Sequence, residues 1–280
     1  MTDRKLTLDA VIAKHLMNQK RCNYRRWRAK RAVMDAFILL LFGAGLWAGA
    51  QNALAGGGSF ITLPALIASG LDPKLANITS TMALFPGQIT TGWAGRSLVA
   101  GAERLSFRAL AIISLIGGIG GAFLLIVTPT SIFSAMVPWL VLAATALFAW
   151  SSFGPKPKAA SQPPAAWVTV VTQSIIALYG GFFGGGAGIM TLASLTLARM
   201  PVRNAGGTKN VLVGIANVAA AAVFAVSGAV AWRQALAIGA GAIIGGYVGA
   251  RALKVLPEKL LKIGIIVIGT ALTIGLFLKE

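Results

Sequence analysis

The sequence predicts an all-α polytopic membrane protein with two homologous repeats of four to five helices each, glycine-broken half helices and about 8 to 10 membrane segments. Three observations lead to this fold class. Apolar residues make up 56% of the chain and charged residues only 11%. Long apolar runs follow one another along the chain, and one glycine-rich motif occurs twice. Because roughly 20 apolar residues suffice to cross a bilayer, runs of this kind indicate a bundle of spanning helices.

The repeated motif is GGGSFITLPAL at 56–66, which aligns with GGAGIMTLASL at 185–195, 129 positions later. The alignment continues downstream at the same offset, with an alanine and a threonine shared by the two copies. Weak internal symmetry with glycine-interrupted apolar segments is typical of secondary transporters, and the interruptions often mark the substrate site. We therefore expect two repeats, and we name the glycines at 56–58 and 184–186 the first and second glycine breaks.

Ten apolar segments are expected in chain order. They lie at 35–55, 59–69, 77–93, 107–127 and 132–150 in the first half, and at 167–183, 189–198, 210–230, 235–253 and 260–278 in the second. The short segments at 59–69 and 189–198 follow the glycine breaks. A helix of such length covers roughly 17 Å, about half of the ~30 Å hydrocarbon core, so both are predicted to be half helices.

The boundaries of the repeats follow from polar stretches. Residues 1–33 form a basic arm with ten of the 25 lysines and arginines, which predicts a cytoplasmic N-terminus and attraction to anionic lipid. The first transmembrane repeat is expected at 34–151, a linker rich in proline, serine and alanine at 152–166, and the second repeat at 167–280.

Loop charges leave the orientation of the second repeat open. With the N-terminus inside, about eight crossings plus two half helices satisfy the charges of the first half. The basic residues at 251–262 instead favour an inverted second repeat with about ten crossings, which would place the basic arm outside.

The predicted membrane interior lacks acidic residues and histidine. All seven Asp and Glu residues, and the single His15, fall in tails, loops or helix ends. Proton relays use such residues within the spans, metal centres need clusters of them, and hydrolases need a base beside a nucleophile. The single Cys22 allows no disulfide framework. We therefore expect no catalytic residue, no metal site and no cofactor.

Neutral hydrogen-bond donors and one lysine remain in the interior. The glycine breaks free backbone N–H groups at the starts of two short helices, where the helix dipole favours negative charge. Because lipid rejects polar side chains, those near the breaks should face the bundle interior. The expected substrate-binding residues are Gly56, Gly57, Gly58, Ser59, Thr62, Asn77, Thr79, Ser80, Gly185, Gly186, Thr191, Thr208, Lys209 and Asn210.

Each kind of residue in this set also has a purely structural interpretation. Glycines permit close packing of membrane helices, and serine or threonine bonds to its own helix backbone. Lys209 alternatively extends to the membrane interface. Three adjacent glycines disrupt a helix rather than tighten its packing, so the breaks are the part of the set least explained by packing.

The motif at 56–66, followed by DPKLANITS at 72–80, resembles the first-repeat pattern of the sulfite exporter TauE/SafE family, also called the toluene sulfonate uptake permease family. The stretch GGGAG at 184–188 and the glycine-rich helix ending at 251–257 are similar to its C-terminal half. The resemblance covers roughly residues 36–276. It implies a multi-pass permease of the bacterial cell inner membrane that moves small sulfur-containing anions such as sulfite, sulfonates or sulfoacetate.

The residues alone also indicate an anion site, because donors and positive potential occur without buried acids. We expect a permease that exports the anion by alternating access between the repeats. An anion channel and a membrane scaffold or sensor subunit remain as alternatives. The expected partners are the small anion, the lipid bilayer, a second copy of the chain, and an anionic lipid or cytosolic protein at the basic arm. No nucleic acid is expected, since the net charge of +18 lies in tails and loops.

Overall fold

The computed structural model describes residues 37–52, 57–94, 96–102, 104–154 and 164–252, with scattered positions between 263 and 278. Gly56, the basic arm at 1–33 and most of the expected linker lie outside the described residues. The chain divides after Leu40 into two compact units. Apart from the first turn of the first helix, the helices below belong to the second unit, Leu41–Glu280.

Nine α-helices lie within the continuous described ranges. They are α1 (Phe37–Asn52), α2 (Ser59–Ala68), α3 (Pro73–Ala94), α4 (Phe107–Val127), α5 (Thr130–Phe153), α6 (Ala166–Phe182), α7 (Ala187–Leu197), α8 (Val202–Val226) and α9 (Trp232–Ala252). By length and composition, Phe107–Val127, Thr130–Leu147 and Arg203–Val226 are suited to cross a membrane. The all-α fold class is confirmed. The two segments after the glycine breaks are short helices of 10 and 11 residues.

Two helices, α3 and α8, begin at least four residues earlier than the apolar runs predicted. α8 begins at Val202 rather than at 210, because its first turns carry polar residues that an apolar run does not include. α3 begins at Pro73 rather than at 77, and the Asp72 carboxylate accepts the N–H groups of Lys74 and Leu75 at 3.1 and 3.0 Å. Proline at the first helical position and an acceptor just before it both favour a helix start.

Contacts between helices fix their directions. α3 and α8 are antiparallel, because Gln88 bonds to Asn217 while Gly92, further along α3, lies against Val211 on an earlier turn of α8. α3 and α4 are also antiparallel. The Lys74 ammonium at the start of α3 donates to the carbonyl oxygens of Ile126 and Thr128 at the end of α4, at 2.9 and 2.6 Å.

α4 in the first half of the chain and α9 in the second half each pack closely against helices of the other half. α4 lies on α6 and α8, and α9 lies on α1 and α3. Both α4 with α6 and α1 with α9 are parallel. The pairs that show this are Gly117 with Ala177 and Gly121 with Phe182, and Gly45 with Ile238 and Gly49 with Ala242. A Cβ at any of these four glycines would overlap the neighbouring helix, so their absent side chains permit the close packing.

The two short helices each complete a hairpin. A turn at 69–72 joins α2 to α3, and Thr62 on α2 contacts Ser80 on α3, so the α1–α2 hairpin starts and ends where α3 begins. The α6–α7 hairpin starts and ends at the opposite end of the bundle. There Leu195, near the end of α7, packs in one cluster with Leu110 at the start of α4.

The outer surface of α4 is apolar, as expected for a helix that faces lipid. Ile112, Ile116 and Phe123 are exposed, whereas Ser114 and Gly118 on the same helix are buried. Large apolar side chains outside and small residues inside are typical of helices that face lipid and pack closely on one another.

Candidate functional site

Both glycine breaks border one polar cavity, which we name the Lys209 cavity. Its volume, measured for the centre of a water-sized sphere, is about 30 Å³, against the 10–15 Å³ or so that one water requires. The lining residues come from α1, α2, α3, α7, α8 and both glycine breaks. They are Asn52, Gly57, Ser59, Gln88, Thr91, Gly184, Gly188, Lys209, Asn210 and Val213.

The first glycine break joins α1 to α2 beside this cavity. Gly57 has φ +89°, a left-handed conformation that glycine adopts without steric cost. The N–H of Gly58, the N-cap residue, donates to the Asn52 side-chain oxygen at 2.8 Å. Asn52 thus fixes the turn of the hairpin and borders the cavity at the same time.

The second glycine break joins α6 to α7 and uses two left-handed glycines. Gly184 has φ +77° and Gly186 has φ +81°. Gly186 is the N-cap residue of α7, and glycine brings no side chain that could accept from the first-turn N–H groups. The first turn of α7 borders the Lys209 cavity through Gly188. Helix N-termini carry partial positive charge, so both short helices point a favourable dipole end toward this region.

Lys209 is the one charged residue in the cavity lining. It lies in the third turn of α8 and is only 4% exposed. Within the described part of the chain its ammonium group has no hydrogen-bond acceptor and no carboxylate partner, and the one acidic residue there is Asp72, in the turn before α3. The desolvation of a buried charge without a partner costs roughly several kcal/mol of folding free energy, and a bound anion would offset this cost. The cavity therefore suits a negatively charged ligand.

The remaining polar lining is neutral. Gln88 and Thr91 are three positions apart and therefore share one face of α3, a spacing from which the sequence could have identified them as a pair. Thr91 donates its hydroxyl to the Gly87 carbonyl oxygen at 2.6 Å. Gln88, Thr91, Asn52 and Gly188 were not among the expected site residues.

Four of the expected site residues line the cavity: Gly57, Ser59, Lys209 and Asn210. Gly56 lies outside the described residues, and several of the other expected side chains have hydrogen-bond partners elsewhere. The hydroxyls of Thr62 and Ser80 bond to each other, which ties α2 to α3. Asn77 donates its side-chain amide to the Phe182 carbonyl oxygen at 3.0 Å, which links α3 to the end of α6.

The aligned threonines Thr79 and Thr208 hold equivalent loops. Thr79 accepts the N–H of Ala231, just before α9, at 3.2 Å. Thr208 accepts the N–H of Ala100 in the loop before α4, at 2.9 Å, and donates to the carbonyl oxygen of the same residue at 3.1 Å. Each therefore fastens the segment that leads into the fourth helix of the other half. Neither lines the Lys209 cavity.

Three expected residues belong to the α6–α7 hairpin but do not line the Lys209 cavity. Thr191 donates to the Ala187 carbonyl oxygen of its own helix at 2.8 Å. Gly185 and Gly186 are buried beneath the turn. A substrate role for these three residues, and for the other expected residues, stays a prediction.

An all-helical bundle with a lipid-type surface, two short helices and a buried cationic cavity defines a membrane transport protein. The chain belongs to the sulfite exporter TauE/SafE family, whose model matches residues 41–276. It is 34% identical over 251 residues to the "Probable membrane transporter protein ORF9" of Sinorhizobium sp, with 86% of this chain and 93% of that protein covered.

Two further relatives carry similar descriptions. A "Probable membrane transporter protein" of Haemophilus influenzae is 26% identical, with 84% of this chain and 92% of that protein covered. The "Probable membrane transporter protein YfcA" of Escherichia coli strain K12 is 25% identical, with 86% and 90% covered. No solved structure matches the chain. The protein is therefore a membrane transporter of this family, as its sequence motifs predicted.

Proposed function

We propose that the protein exports a small sulfur-containing oxyanion, of the sulfite, sulfonate or sulfoacetate type, across a bacterial inner membrane, with its N-terminus in the cytoplasm. The observation that carries this proposal is the buried ammonium group of Lys209, which faces a polar cavity without a carboxylate partner among the described residues. An oxyanion neutralises that charge and accepts several N–H groups at once. Asn52, Gln88 and Asn210 supply neutral side-chain donors around the same space.

Transport proceeds by alternating access between two inverted repeats. Three observations support the inversion: α3 and α8 are antiparallel, the two hairpins enter from opposite ends, and Thr79 and Thr208 hold reciprocal loops. The first half then contains one re-entrant hairpin and three crossing helices, α3, α4 and α5, an odd number that reverses the second half. This count differs from the eight full crossings favoured by the charges of the first half. With the N-terminus inside, it places the basic residues at 96–108 outside, so the cytoplasmic N-terminus rests on the ten basic residues of the arm. Inverted repeats around a site near mid-membrane are the arrangement by which many secondary transporters alternate their access.

The membrane potential supplies the driving force. An inside-negative potential of 100 mV contributes about 2.3 kcal/mol for each negative charge exported. No buried carboxylate is needed as a proton relay for such a cycle.

The test compares Lys209→Met with Arg203→Gln, which removes the same charge from an exposed position on the same helix. Both variants are reconstituted in vesicles, and efflux of radiolabelled sulfite and several sulfonates is measured. Lys209→Met should lose transport and anion binding, whereas Arg203→Gln should retain both. Labelling of Cys22, the one cysteine of the chain, from either side of the vesicle fixes the orientation.

Thermal unfolding separates a binding role of Lys209 from a structural one. Removing an unpaired buried charge should leave stability unchanged or raise it by about 1–4 kcal/mol. In the wild type, a transported anion at about 100 times its Kd should add about 2.7 kcal/mol. A Lys209→Met variant that is destabilised, or that still binds anion, would contradict the proposal. Large unitary currents in place of slow saturable flux would identify a channel.

A further inference from the structure

A second, smaller cavity lies further along α8, and we name it the Gln173 cavity. Its volume for the centre of a water-sized sphere is about 10 Å³, which is room for one water. α4, α6, α7 and α8 contribute its walls. Its polar lining consists of Ser114, Gln173, Thr191 and Asn217.

One apolar residue, Val213, lines both cavities. Lys209, Val213 and Asn217 are spaced four residues apart, so they form a single stripe on one face of α8, with about 6 Å between neighbours along the axis. Lys209 lines the first cavity, Asn217 lines the second, and Val213 lines both. Val213 is therefore the shared wall.

A polar contact runs alongside this wall. The Asn217 side-chain amide donates to the Gln88 side-chain oxygen at 2.6 Å. Gln88 lines the Lys209 cavity, while Asn217 lines the Gln173 cavity. Hydrogen-bonding groups thus continue from one cavity to the other without interruption.

The far side of the Gln173 cavity contains an amide with two available arrangements. Gln173 is 2% exposed, and its Nε2 donates to the Ser114 hydroxyl oxygen at 3.0 Å, while its Oε1 has no partner among the described residues. A hydroxyl donates as readily as it accepts. Rotation of the amide would therefore let Oε1 accept from Ser114 and present the NH₂ group to the cavity.

We infer that the Gln173 cavity is a second subsite for the oxyanion and that Val213 is the barrier between the two subsites. The inference rests on the proposed function. An anion that leaves Lys209 passes Val213 and meets neutral donors, namely the amides of Asn217 and Gln173 and the hydroxyl of Ser114. Neutral donors hold an anion more weakly than an ammonium group does, so this subsite favours release. Its present volume fits one water, so an anion can enter only if the walls of the cavity move apart.

The test separates binding from movement. Gln173→Leu removes a donor from the second subsite and leaves the lining of the Lys209 cavity intact. The matched control is Ser174→Ala, at the next position of α6, where the side chain is exposed and bonds only to its own helix. Radiolabelled sulfonate efflux from vesicles and sulfonate binding to the detergent-solubilised protein are measured for both variants.

Loss of one hydrogen bond to a charged ligand predicts about tenfold slower efflux for Gln173→Leu, with a Kd within about twofold of the wild type. Val213→Ala should accelerate efflux by about threefold or more, because it lowers the barrier, and it remains informative if Gln173→Leu does not fold. Wild-type efflux in both variants, or a parallel loss of binding and efflux in Gln173→Leu, would overturn the second subsite. Absence of anion binding by the wild type would instead overturn the proposed function.

Discussion

The two glycine breaks share a sequence motif and both contain left-handed glycines, but Gly58 and Gly184 need glycine for different physical reasons. In the first break, a Cβ at Gly58 would lie 2.7 Å from the Ala48 carbonyl oxygen, so lack of space excludes a side chain. In the second break, a Cβ at Gly184 would meet nothing nearer than the Gly180 carbonyl oxygen at 3.5 Å. There the left-handed backbone, with φ +77°, is what favours glycine.

The breaks also differ in how their backbone donors are used. Asn52 accepts the Gly58 N–H, whereas the aligned position in the second half is Gly181, which has no side chain to accept a bond. Both hairpins have a left-handed glycine at the aligned positions 57 and 186, and the first adds a side-chain acceptor that the second lacks at the aligned position. The aligned glycines of the two breaks share a left-handed conformation while the interactions around them differ, so equivalent substitutions in the two halves should have unequal effects.

The largest effect is expected from Asn52→Asp, because it keeps the acceptor for Gly58 but adds a negative charge to the Lys209 cavity. A like charge beside the ligand costs several kcal/mol, so anion affinity should fall by about a hundredfold or more. Thermal stability should be retained or raised, because the new carboxylate offsets the unpaired charge of Lys209 in the same cavity. Binding to the solubilised protein and efflux from vesicles measure the effect.

The control for this charge is Asn52→Ala, which removes the acceptor without adding a charge. It should lower stability by roughly 1 kcal/mol, since the Gly58 N–H loses its partner, and should reduce affinity far less than Asn52→Asp. Equal affinities for the two variants would show that Asn52 does not face the anion.

The next effect concerns the order of two substitutions at each break. Gly184→Ala should cost about 1–2 kcal/mol because of its left-handed backbone, and Gly184→Asn should cost less, since asparagine tolerates that conformation. At Gly58 the order should reverse. Alanine there should cost about 1–3 kcal/mol by overpacking, and the larger asparagine should cost more. Denaturant or thermal unfolding of the four variants checks whether the order of alanine and asparagine is opposite at Gly184 and Gly58. Asparagine worse than alanine at both breaks would mean that space decides in both.

The sequence predicted the elements that are repeated and could not predict the ones that depend on partners. The half helices and the position of Lys209 near them follow from the duplicated glycine motif. Thr62 and Asn77 were expected to bind substrate, yet each bonds to a group on another helix. Sequence spacing does not specify such partners, because they depend on how the helices pack. The opposite directions of α3 and α8 were undecided for a related reason, since basic residues lie near both ends of the bundle.

The smallest effect compares the aligned threonines of the two short helices. Both are buried, and both donate to the carbonyl oxygen four residues earlier, Gly58 for Thr62 at 3.3 Å and Ala187 for Thr191 at 2.8 Å. Thr62 in addition bonds to Ser80 on another helix. Replacement by valine keeps the shape and removes the hydroxyl. Thr62→Val should cost about 0.5–1.5 kcal/mol, because Ser80 loses its bond across helices.

Thr191→Val should be nearly neutral, because the Ala187 carbonyl oxygen lies within α7 and accepts the backbone bond of that helix as well. Unfolding measurements on both variants give the difference, and Thr62→Val combined with Ser80→Ala should recover part of the loss, since no hydroxyl then lacks its partner. A larger cost at Thr191 than at Thr62 would mean that the second hairpin depends on this hydroxyl for more than its own helix. The second hairpin would then also depend on a side-chain hydrogen bond, and the contrast between the two hairpins would fail at this position.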